Sequence, residues 1–259
     1  MSVIMHNQIA VALLASLIIN FLLFAVAFFL RTDKLTDASY SLSFITLAVY
    51  GYLKSSGGGY EKLLLALVLA WGLRLGIFLV IRIRRFGRDK RFDDIRNNFW
   101  KFGRFWLLQA VTVWVLMLGY LLAIQRASLT MIRWPFAVGL VIWLMAIVIE
   151  SVADLQKLNF NSQPRNRGKW IDSGLWRYSR HPNYLGEMMI WIGVFLICIS
   201  VLPRAEAYVA ALSPLLISNL LLFVSGVPIL EKAADQKWGK LAAYQNYKKR
   251  TATVVPFLK

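Results

Sequence analysis

IAVALLASLIINFLLFAVAFFL, Ile9–Leu30, is a run of 22 residues without one charged side chain. A bilayer-spanning helix needs about 20 predominantly apolar residues. The run exceeds the apolar core of a signal peptide and has no basic flank before it, so it is expected to stay in the mature chain as a first membrane span. Working outward, six further apolar blocks follow: Tyr40–Leu53, Leu63–Ile81, Phe105–Ile124, Pro135–Ile149, Met188–Leu202 and Tyr208–Leu230. The second, fifth and sixth blocks are short for a bilayer and are expected to be buried in the bundle or extended by polar turns. Of the 259 residues 58% are hydrophobic and 17% charged, against about 45–50% and about 25% in soluble domains. The expected fold is an all-α, polytopic membrane bundle of seven transmembrane helices, one domain over residues 1–259 with no internal repeat.

Lysine and arginine set the orientation. With the N-terminus outside, the inner loops hold Arg31 and Lys34; Arg82, Arg84, Arg85, Arg88, Lys90, Arg91, Arg96, Lys101 and Arg104; Lys157, Arg165, Arg167, Lys169, Arg177 and Arg180; and the basic C-terminal segment to Lys259. The outer side holds Lys54, Lys62, Arg126, Arg133 and Arg204. The positive-inside rule then places the C-terminus in the cytoplasm, which needs an odd number of spans. A bacterial cytoplasmic membrane is expected, or the endoplasmic reticulum in a eukaryote. Most of the net charge of +17 is assigned to this asymmetry and to anionic lipid headgroups. No compact basic domain is left for nucleic acid once the spans are removed. The single cysteine, Cys198, excludes a disulfide framework, and two histidines make a metal site improbable.

Polar residues inside apolar blocks mark sites or pairings. Arg74 interrupts the third block in AWGLRLGIF, where it either contacts an anion or carbonyl or pairs with Asp37 or Glu150. Glu150 and Asp154 close the fifth block at i and i+4, with Lys157 on the same side. The densest polar stretch is GLWRYSRHPNYLGE, Gly174–Glu187. Pro182 restarts a helix after His181, and Asn183 and Glu187 share its first turns. The free N–H groups of that helix start suit an anion. Arg177 and Arg180 add phosphate donors, and Tyr178 and Tyr184 add flat faces with polar tips. The same Arg, Trp and Tyr content would also suit an interfacial loop on lipid headgroups. No Walker or GxGxxG pattern is present, so a nucleotide would be held by the bundle and its loops.

SRHPNYLGE, with GLW and DLQKLNF (Asp154–Phe160) before it, resembles the C-terminal half of the membrane steroid 5α-reductase (3-oxo-5α-steroid 4-dehydrogenase) family, in its bacterial form. TDASYSLSF (Thr36–Phe44), WGLRLGIFLVIR (Trp71–Arg82), GRDKRFDDIR (Gly87–Arg96), SGVPILEK (Ser225–Lys232) and YQNYKKRTATVVPF (Tyr244–Phe257) extend the likeness through nearly the whole chain. The RHP core by itself is also similar to isoprenylcysteine and phospholipid methyltransferases. The resemblance implies NADPH-dependent reduction of the Δ4 double bond of a 3-oxo steroid or related polycyclic enone. It implies cofactor contacts at Arg74, Arg82, Asp154, Lys157, Arg165, Arg167, Tyr178, Arg180, His181, Asn183, Tyr184 and Glu187. It implies a carbonyl-side role for Asp37, which is otherwise a candidate helix N-cap. The partner tyrosine of the mammalian pattern is replaced by Trp71, with Tyr40 or Tyr52 nearby. The alternatives are an S-adenosylmethionine-dependent membrane methyltransferase and a non-enzymatic lipid-binding or transport protein.

Overall fold

The structure is a computed structural model and describes residues 3–87, 92–126 and 134–258. Arg88, Lys90, Arg91, Arg133 and Lys259 of the charge count lie outside the described residues. The elements are helices: α1 (Val3–Phe29), α2 (Lys34–Leu53), α3 (Gly59–Phe86), α4 (Phe99–Ala123), α5 (Trp134–Ser162), α6 (Pro182–Ile199), α7 (Arg204–Ala210), α8 (Leu212–Asn219), α9 (Val227–Trp238) and α10 (Ala242–Arg250). No strand is present among the described residues, where the one sheet-like pairing is an isolated parallel bridge between Ser179 and Ala252. Six helical stretches are long and apolar enough to cross a bilayer: Asn7–Phe29, Gly59–Phe86, Phe99–Ala123, Trp134–Ser162, Pro182–Ile199 and Arg204–Trp238. By length and composition the chain is a multi-pass membrane protein.

Two compact units divide the chain, Met1–Phe136 with Val194–Ser213, and Ala137–Gly193 with Pro214–Lys259. In the first unit α2 packs against α1, α3 and α4. This explains why α2 is not among the six apolar stretches although it has 20 residues, about 30 Å of helix. Its buried face carries Thr36, Ser39, Ser41 and Ser43 beside Phe44, Leu47 and Ala48. Small hydroxyl side chains let helices approach closely and bond across the contact. The Ser41 hydroxyl donates to the Gly72 carbonyl at 2.7 Å, and the Tyr120 hydroxyl donates to the Ala48 carbonyl at 2.7 Å. A buried polar layer joins α1, α2 and α4. Asn20 Nδ2 donates to Ser43 Oγ at 3.0 Å, and Gln109 Nε2 donates to Asn20 Oδ1 at 2.9 Å and to Ser39 Oγ at 2.5 Å. Each of these amides is matched by a partner, which removes most of the cost of placing it in an apolar bundle.

The helix ends follow local chemistry. Asn98 caps α4, its Oδ1 accepting from the Lys101 N–H at 3.0 Å. Arg84 and Arg85, expected in a loop, instead form the last turn of α3, where cations complement the helix dipole. Arg96 closes the following loop by pairing with Asp93 and, at 3.0 Å, with Asp33.

In the second unit α5 and α6 lie antiparallel in close contact at glycines one heptad apart. A Cβ on Gly193 would stand 2.8 Å from the Gly139 carbonyl oxygen, and one on Gly186 would stand 2.8 Å from the Glu150 nitrogen. Three block boundaries differ from expectation. Helix α5 continues to Ser162, so Glu150 and Asp154 sit inside it rather than at its end. Helix α6 starts at Pro182, and the Tyr208–Leu230 block is broken into α7, α8, a wide π turn at Leu220–Val224 and α9.

Candidate functional site

The Gly174–Glu187 stretch is a corner that leads into α6, and the C-terminal segment braces it. The Trp176 indole donates to the Ala153 carbonyl at 3.1 Å, and the Tyr247 hydroxyl donates to the Trp176 carbonyl at 2.8 Å. The Arg180 N–H donates to the Ala252 carbonyl at 2.9 Å. Arg180 Nε donates to Glu231 Oε1 at 3.1 Å, Nη1 to the Lys248 and Thr251 carbonyls at 3.0 Å each, and Nη2 to Thr253 Oγ1 at 2.9 Å. The guanidinium expected to hold phosphate is thus committed to the protein. A helix-start anion site is not available either. Pro182 has no N–H, and the N–H groups of Tyr184 and Leu185 already donate to the His181 carbonyl.

What the corner presents is a set of side chains on α5 and α6. The Gly186–Glu150 contact fixes the register, which puts Asp154 level with Asn183, one turn further along. Asp154 is buried, and Asn183, Tyr184 and Glu187 are half-buried. Lys157 lies 4.5 Å from the centre of the Trp176 ring, a cation–π contact. Tyr178 is 51% exposed, and Arg165, Arg167 and Lys169 are exposed. His181 is buried and stacks on Tyr184, ring centres 5.4 Å apart. Burial pushes its pKa below the usual 6.5, against the opposing pull of the Glu231 carboxylate. Among the described residues no group of three or more His, Cys, Asp or Glu side chains is placed to hold a metal ion.

The first unit holds the other expected residues. Helix α2 begins at Lys34 with Asp33 at the cap position, so Asp37 lies one turn inside and is not the N-cap. Arg82 Nη2 donates to Asp37 Oδ2 at 2.5 Å. The carboxylate therefore has a guanidinium counter-charge, where an isolated buried acid was expected, and it is Arg82 rather than Arg74 that meets Asp37. Trp71, Arg74, Phe78 and Arg82 form one stripe of α3 at spacings of three and four. Tyr40, Phe44 and Trp71 meet edge to face, with both centroid distances 4.9 Å. Trp71 is 1% exposed, and Arg74 is half-buried. Tyr52 sits at the opposite end of α2 from Asp37, beside the Gly57 turn, and takes no part in this group.

Glu231, Lys248, Thr251 and Thr253 had no role from the sequence, although SGVPILEK and YQNYKKRTATVVPF carried the resemblance. Glu231 Oε1 faces both Arg180 and His181, and its Oε2 lies 3.3 Å from Lys248 Nζ. The one available signal was an acid directly after an apolar block.

A family model described as a protein of unknown function, DUF1295, matches residues 23–251. No match was found among curated proteins or among solved structures.

Proposed function

The chain belongs to the DUF1295 family, and we propose that it is an NADPH-dependent membrane reductase acting on the Δ4 double bond of a 3-oxo steroid or a similar polycyclic enone. The observation that carries this reading is the mounting of Asp154, Asn183 and Glu187 on a glycine-locked helix pair inside apolar sequence. Polar groups placed there at such cost serve a ligand more often than a lipid. The donor set fits a dinucleotide. Asp154, Asn183 and Glu187 offer an amide and carboxylates to ribose hydroxyls and to a carboxamide. Tyr178 offers a ring face, and the exposed Arg165, Arg167 and Lys169 offer charge to a 2′-phosphate. NADPH, when bound, supplies the hydride.

In the first unit, Asp37 acts by holding Arg82. A guanidinium fixed by a carboxylate is a preorganised donor for a carbonyl oxygen that gains negative charge, and Tyr40, one turn from Asp37, is a second donor. The aromatic group of Tyr40, Phe44 and Trp71 suits fused apolar rings. The reading includes α2 as a seventh, internally buried span, with the N-terminus outside and the C-terminus cytoplasmic.

The test is direct. The chain purified in detergent is expected to carry NADP(H), seen by absorbance and mass spectrometry, and to convert a 3-oxo-Δ4 steroid to a product heavier by two hydrogens. NADPH is expected to be strongly preferred over NADH, and neutralising Arg165, Arg167 and Lys169 together is expected to shrink the preference. Equal use of both cofactors would show that this loop serves topology alone. A methylated product with S-adenosylmethionine, and no NADP(H), would replace the reading with the methyltransferase.

A further inference from the structure

Glu231 fixes more than the C-terminal segment. Its Oε1 lies 2.9 Å from His181 Nε2. A carboxylate only accepts, so the single proton of the neutral imidazole resides on Nε2, and Nδ1 is left as an acceptor. Nδ1 is buried and has no hydrogen-bond partner among the described residues. His181 as a whole is 5% exposed. A buried acceptor without a donor is costly and rare enough to need a reason. The ring cannot easily turn to find one. It stacks on Tyr184 with an interplanar angle of 9°, its backbone N–H donates to Ser179 Oγ at 3.2 Å, and Pro182 follows. The neighbouring groups are already engaged: Arg180 with the C-terminal segment, Glu231 with Arg180 and Lys248, and Tyr247 with Trp176.

We propose that His181 Nδ1 is a ligand contact, accepting a hydrogen bond from a ribose hydroxyl or the carboxamide N–H of the bound dinucleotide, and that Glu231 is a positioning residue that sets this tautomer. The identity of the ligand rests on the reductase reading. The tautomer follows from the Glu231 geometry alone.

A pH signature follows. The charged or titratable groups around His181 are Arg180 beside it, Lys157 from α5, Tyr184 from α6, Glu231 from α9 and, paired with Glu231, Lys248 from α10. Of these residue types only histidine ordinarily titrates between about pH 5 and 8. Protonation turns Nδ1 from acceptor into donor, so ligand affinity falls on the acid side. Glu231→Gln keeps an oxygen for both hydrogen bonds but removes the charge that favours the imidazolium. The acid limb therefore moves to lower pH in that variant.

The experiment uses the full chain in detergent micelles with NADP⁺ as the probe. The sequence has two histidines, so His6→Gln leaves His181 as the sole histidine for nitrogen-15 NMR. NADP⁺ is expected to move the Nδ1 resonance more than Nε2, and the analogue with nicotinic acid in place of nicotinamide separates the two donors. If the analogue still moves Nδ1, the donor is a ribose hydroxyl; if it does not, the donor is the carboxamide. Calorimetry between about pH 5 and 8 is expected to show the acid loss of affinity, shifted lower in Glu231→Gln. His181→Phe is expected to bind about tenfold more weakly, the scale of one hydrogen bond, with only the slope of the 2′-phosphate left. Binding of NADP⁺ with Nδ1 unmoved, or an equal loss at every pH in Glu231→Gln, overturns the inference and leaves the reductase standing. No binding of NADP⁺ by the unaltered chain overturns both.

Discussion

Replacing Gly186 by alanine tests the contact that holds the candidate cofactor residues in register. The added Cβ would stand 2.6 Å from the Glu150 Cβ, 2.8 Å from its nitrogen and 2.9 Å from its Cα. Carbon atoms rest at about 3.5–4.0 Å, so the two helices must part by roughly 0.9 Å. The obstructing atoms are backbone and Cβ, which no side-chain rotation can clear. Overpacking of this kind costs about 1–3 kcal/mol. For a chain of this size that lowers the melting temperature by roughly 2–12 °C. The displacement also moves Asn183 and Glu187 against Asp154, so NADPH affinity is expected to fall more than stability does. Gly59→Ala is the control: nothing lies within 4 Å of its Cβ position, and alanine at the start of α3 should be neutral or slightly stabilising. Thermal melts in detergent and a cofactor titration on both variants measure the difference. If Gly186→Ala melts and binds like Gly59→Ala, α5 and α6 do not pack through this glycine, and the argument for the site's rigidity fails.

Three further outcomes are expected. Reporter domains placed after Lys259 and within Ser55–Gly59 should fall on opposite sides of the membrane; labelling on the same side would remove α2 from the count of spans. Asp37→Ala removes the acceptor held by Arg82 and should lower turnover by about 10²–10³ with NADPH still bound, while Asp37→Asn, which keeps an oxygen for Arg82, should fall between. Near-silence of both variants would remove Asp37 from the reaction. His181 has a folded-state pKa below its unfolded value, so the unfolded chain takes up the proton first, and the stabilising contribution present above pH 6.5 is lost as pH falls toward the folded value. The melting temperature should accordingly drop on acidification through about pH 6, and His181→Phe should flatten that limb. An unchanged limb in the variant would assign it to other groups.

The sequence by itself determined the class of this protein. Apolar runs such as Ile9–Leu30 are local facts, and a bilayer leaves a long apolar run few alternatives to a helix. It also located the polar corner, because Asn183 and Glu187 interrupt such a run and proline marks where the helix restarts. It did not set the length of α5, since the apolar block ends at Ile149 while the helix, carrying polar residues, continues to Ser162. Pairing was decided only by the tertiary structure. Arg180 looked like a phosphate donor, yet its partners Glu231 and Thr253 lie 51 and 73 residues away. Asp37 looked like a cap, yet its partner Arg82 is 45 residues on. The polar face of α2 looked too hydrophilic for a core, yet Asn20 and Gln109 from two other helices supply its hydrogen bonds. Hydropathy and helix breaks are properties of neighbours in the chain. Whether a buried charge binds a ligand or the protein depends on which distant group the folded helices place within about 3 Å of it.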